Sequence, residues 1–69
     1  ELETAVMTVR KALEVNPDMA AGYRLLGRAQ MSLNNKPEAI QALEKFLELS
    51  PEDPSAETEK RLVEALKAG

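Results

Sequence analysis

The same phrase closes two stretches of this chain, Leu13-Glu14-Val15-Asn16-Pro17 and Leu47-Glu48-Leu49-Ser50-Pro51. The two prolines stand 34 positions apart. A period of that size marks short helical units that cannot bury an apolar face alone and so stack on one another. The residue before a proline is pushed out of the helical region, so each phrase reads as the end of a helix. Between them lie two helix-like patterns joined by Asn34-Asn35-Lys36-Pro37. An all-α chain is expected.

Sixty-nine residues allow one small domain with a marginal core. Cysteine and histidine are absent, so no disulfide or thiolate metal site is available. A net charge of −3 argues against a general nucleic-acid binder, and no apolar run is long enough to span a bilayer. The expectation is a soluble protein, cytoplasmic by preference, although nothing fixes the compartment. The start, Glu1-Leu2-Glu3, has no signal-peptide pattern and reads as the beginning of an excised piece.

Along the chain, Ala5, Val6, Val9, Ala12 and Leu13 recur at helical spacing, with Leu2 and Met7 widening the stripe. Val6, Met7 and Leu13 are expected to lack a covering helix. A second helix is predicted from Met19 to Leu33, capped by Asp18. Gly22 and Gly27 inside it each cost about 1 kcal/mol relative to Ala, which points to close approach of neighbouring helices. Asn34 and Asn35 suit a turn, and Asn35 with Glu38 resembles a capping box. The third helix turns Ala39, Ile40, Leu43, Phe46 and Leu47 inward. Asp53 or Ser55 is placed to cap a fourth, whose apolar set (Ala56, Leu62, Val63, Ala65, Leu66) is sparse.

These residues resemble a tetratricopeptide repeat. Tyr23-Arg24-Leu25-Leu26-Gly27 matches the family's aromatic followed by Leu-Gly, Ala39 and Leu43 match positions of its second helix, and Pro51 closes the unit. In the preceding segment Ala5 corresponds to Ala39, Val9 to Leu43, Ala12 to Phe46 and Pro17 to Pro51. Gln30 stands where an aromatic is usual, and Phe46 where a small residue is usual. The resemblance implies four helices stacked as antiparallel pairs in a short right-handed solenoid. It divides the single domain, 1–69, into the second helix of a truncated repeat (1–16), a complete repeat (18–51) and a capping helix (54–68). Gly27 and Ala39 are then small where the paired helices cross, and Tyr23, Leu26, Leu43 and Phe46 fill the space between them.

No residue set reads as catalytic. Glu44, Glu48, Glu57, Glu59 and Glu64 fall on faces that read as solvated. The string Gly22 to Ala29 lacks the Lys, the hydroxyl and the preceding strand of a phosphate-binding loop. No enzyme, cofactor or metal is expected. One stretch departs from the acidic average: no acid occurs from Met19 to Lys36, and Arg24 and Arg28 lie one turn apart. Like charges so spaced repel by a few tenths of a kcal/mol, so helix stability does not ask for them.

In the family it resembles, the first helix of each repeat lines a concave groove that holds peptides, which assigns Ala21, Arg24, Leu25, Arg28, Met31 and Ser32 to that groove. Chaperone-binding members assemble a basic and amide clamp for carboxylates across several repeats. Arg24 and Arg28 occupy positions of that kind, with Arg28 where Asn is usual. Three roles stay open for the arginines: an acidic or carboxylate-terminated peptide, Glu59 or another acid on the neighbouring helix, or water. The expected function is a non-catalytic module that binds a protein or peptide partner, without nucleic acid or membrane insertion. The alternative is the end segment of a longer scaffold, or a unit that self-associates through the first helix.

Overall fold

The computed structural model describes residues 1–69 and holds four helices: α1 (Leu2–Val15), α2 (Ala20–Ser32), α3 (Lys36–Leu49) and α4 (Ala56–Ala68). Each packs on its neighbours in the chain, and α2 against α3 is the most extensive pair. The result is a slab of 29 × 26 × 15 Å.

The period read from the prolines is written into the backbone. Asn16 ends α1 at φ −134°, ψ 81°, and Ser50 ends α3 at φ −139°, ψ 64°. Asn16 N–H donates to Ala12 O at 2.9 Å, and Ser50 N–H to Phe46 O at 2.8 Å. Met19 N–H then donates to Asn16 O and Asp53 N–H to Ser50 O, both at 3.2 Å. Gly22 N–H to Met19 O (3.0 Å) and Ala56 N–H to Asp53 O (2.9 Å) complete the correspondence. The two corners share these bonds, but α4 starts at Ala56, two residues later in the register than α2 at Ala20.

The turn between α2 and α3 closes differently. Asn34 takes φ 65°, a left-handed conformation that Asn tolerates better than most residues. Its N–H reaches Met31 O at 2.9 Å while Asn35 N–H reaches Gln30 O at 2.8 Å, the two bonds of a Schellman motif. Pro37 lies in the first turn of α3, where its missing N–H has no helical partner to lose.

The core lies mainly between α2 and α3. Ala39, Leu43 and Phe46 are fully buried, Ala42 nearly so, and burying Leu43 and Phe46 contributes about 1.5–3 kcal/mol each. Tyr23 and Leu26 are only half-buried. Both glycines mark close approaches. A Cβ on Gly27 would lie 2.6 Å from Leu43 Cγ and Cδ2 and 3.3 Å from Ala39 O. On Gly22 it would lie 2.7 Å from Met19 Cε and 2.9 Å from Leu13 Cδ2.

Several local expectations need correction. Val6 and Leu13 are buried; of the three residues expected to be uncovered, only Met7 is exposed, at 63%. Leu13 instead meets α2 at Gly22. Asp18 caps nothing, because α2 begins at Ala20 with Met19 as its N-cap. Asn35 makes no cap bond either: its Nδ2 donates to Gln30 Oε1 at 2.7 Å, which removes it from a capping box. Asp53 accepts from Ser55 N–H (2.8 Å) and Ser55 Oγ–H (2.7 Å). It therefore stabilises the turn ahead of α4, which starts at Ala56.

Candidate functional site

The outer side of α2 carries the six residues assigned to the groove. Ala21, Leu25, Arg28 and Ser32 are exposed, while Arg24 and Met31 are half-buried. Leu25, at 56%, is among the most exposed large apolar residues of the chain. Leu25, Arg28 and Ser32 recur at helical spacing along one edge of a cleft of about 320 Å³ between α1 and α2. Leu2, Ala5 and Val9 line the opposite edge, and Ala29 adds to it from α2. Ala21, Arg24 and Met31 lie outside this cleft.

The α1 half of the lining was missed. The signal was present in the register: Ala5 and Val9 stand 34 positions before Ala39 and Leu43. On α3 those positions are buried against α2; on α1 Ala5 is exposed and Val9 half-exposed.

Arg28 faces α4. Its Nε donates to Glu59 Oε1 at 3.1 Å and its Nη2 to Glu59 Oε2 at 2.9 Å, a fork that fixes both groups. The Arg28 side chain is 47% exposed and that of Glu59 1%. Glu59 is thus not on a solvated face, and it can be buried because Arg28 reaches across from α2 to neutralise it. The structure realises one of the three roles open to Arg28, the internal pair, while half of its side chain still meets solvent. Arg24 forms no ion pair within 4 Å. The carboxyl of Asp53 is held below its ordinary value, first by the Ser55 hydroxyl, then by the Ser55 backbone N–H, with a smaller contribution from the charge of Arg24.

Beyond this strip the charges are ordinary helix surface. Lys45 pairs with Glu48 at 3.1 Å and Arg61 with Glu57 at 3.7 Å, all exposed, and Lys67 meets Glu44 between α4 and α3. The hydrogen bond and charge of Glu48 raise the Lys45 ammonium above its usual value. No three His, Cys, Asp or Glu side chains converge on a point where a metal could sit.

The family model described as tetratricopeptide repeat matches residues 20–53, from the first residue of α2 through the Schellman turn and α3 to the corner beyond it. Residues 20–53 are a tetratricopeptide repeat. Comparison with curated proteins and with solved structures found no match. The tetratricopeptide repeat is a non-catalytic repeat of protein–protein interaction modules, and no helix here is long and apolar enough to cross a membrane. In this tetratricopeptide repeat Gly27 is the point of helix crossing, and Arg28, the next residue, ties the repeat to α4.

Proposed function

We propose that the chain holds a peptide segment in the groove beside α2, with no chemistry performed on it. The carrying observation is the open apolar cleft between α1 and α2, bordered by Leu25 and by a guanidinium that remains half in solvent. An apolar side chain of the partner enters between Val9, Ala5 and Leu25. An acidic side chain or terminal carboxylate lies in the strip of Arg24 and Arg28, bound by charge-assisted hydrogen bonds chiefly to Arg24, because Arg28 is already paired with Glu59. Ala21, Met31 and Ser32 extend the contact along α2. In this reading 1–16 is the second helix of a truncated repeat, 18–51 the complete repeat and 54–68 the cap.

Titrating acidic peptides against the chain, while following the Arg28 and Met31 amide resonances, tests the proposal. Saturable shifts confined to α2 and the facing side of α1 are expected; no shift at millimolar peptide would sink it. A second reading, self-association or a scaffold end, draws on the exposed Leu2, Met7 and Val15 of α1. Sedimentation separates the two, since a strictly monomeric species at high concentration rules out self-assembly.

A further inference from the structure

Glu59 is a carboxylate placed where the repeat's own register has an apolar residue. Thirty-four positions earlier stands Leu25, which lines the groove. Glu59 is instead buried at 1% exposure, and the only hydrogen-bond partner of its carboxylate is Arg28. A guanidinium offers five N–H donors. Arg28 spends those of Nε and one from Nη2 on Glu59, and its Nη1 bonds to nothing else in the chain. A ligand carboxylate reaching that outer edge would sit close to a second carboxylate, in a partly desolvated setting where like charges repel strongly. Arg24, one turn earlier, has no such occupant: it forms no ion pair and no side-chain hydrogen bond within the chain.

We infer that Glu59 acts as a built-in occupant of Arg28 and so limits the groove to ligands with one negative charge at this position, which Arg24 receives. The inference rests on the acid-binding reading above. It makes Glu59 a specificity residue that shapes what Arg28 can accept without itself touching the ligand.

The test uses N-acetylated, C-amidated heptapeptides with a central Leu and zero, one or two aspartates. Each is titrated at low salt into the 69-residue chain, Glu59→Gln and Glu59→Leu, the last restoring the apolar residue found at Leu25. Circular dichroism establishes which variants are folded, and Glu59→Leu serves if Glu59→Gln is not. The first aspartate is expected to lower Kd about tenfold in every protein. The second should leave the parent unchanged and lower Kd a further tenfold or so in the variants. A parent that gains equally from the second aspartate overturns the inference. So does a folded variant as indifferent to it as the parent, or one that loses affinity for the singly charged peptide. If the first aspartate has no effect in any protein, the acid-binding reading itself falls, and this inference with it.

Discussion

Helices α1 and α3 carry the same closing phrase and end in the same backbone corner, yet they contribute very differently to the molecule. Ala39, Leu43 and Phe46 are sealed between helices, because α3 has α2 on one side and α4 on the other. Their counterparts Ala5, Val9 and Ala12 are exposed or half-exposed, because α1 has only α2. What α1 does bury, Val6 and Leu13, matches Ile40 and Leu47 on α3 by register. Position in the stack therefore decides how much a residue is worth; residue type and helix propensity come second.

The largest break in this comparison should come from Phe46→Ala, at about 3–5 kcal/mol. In denaturant unfolding that loss approaches the whole stability of so small a domain, whereas Ala12→Gly at the equivalent place should cost only about 1 kcal/mol, mostly through helix propensity. Equal costs would mean that α3 is not the core. Arg28→Ala should come next, at about 2–3 kcal/mol, since it strands a buried carboxylate. Arg28→Ala/Glu59→Leu should regain most of the loss, and a double-mutant cycle measures the coupling.

The two glycines sharpen the contrast between interfaces. Gly27→Ala pushes on Leu43 and on the Ala39 backbone, with an expected cost of about 1–2 kcal/mol. Gly22→Ala meets only the far ends of Met19 and Leu13, so a gain of about 1 kcal/mol in helix propensity should leave thermal stability near the parent's. The smallest effect concerns the corners. Asp53 stands where Met19 stands in the first corner, and its carboxyl is lowered in the folded chain. Its contribution is full above the ordinary carboxylate range and is lost as pH falls through the depressed value. Asp53→Asn should flatten that part of the stability–pH profile.

The comparison also explains how much was legible beforehand. The corners, the left-handed Asn and the glycine approaches could be read because each depends on local stereochemistry or on a spacing repeated within the chain. Glu59 could be named as a partner for an arginine but not as a buried group, since its burial depends on Arg28, 31 residues away in sequence. The caps failed for a related reason. Asn35 had two uses for one amide, and a contact with Gln30 won; Asp18 lay one residue before Met19, the N-cap of α2. The cleft was half visible, through α2 but not α1, because a stripe of small apolar residues does not say which of its members a neighbour will cover.

A layered chain in which helices lean chiefly on those adjacent in sequence has a kinetic consequence. Hardly any loop of great length must close before the first native surfaces meet, so folding should be fast, on the order of microseconds to milliseconds. The α2–α3 hairpin would form the seed, and the outer rods would zip on afterwards. Amide exchange should report the same order in reverse, with α1 and α4 opening while the middle pair still protects its protons.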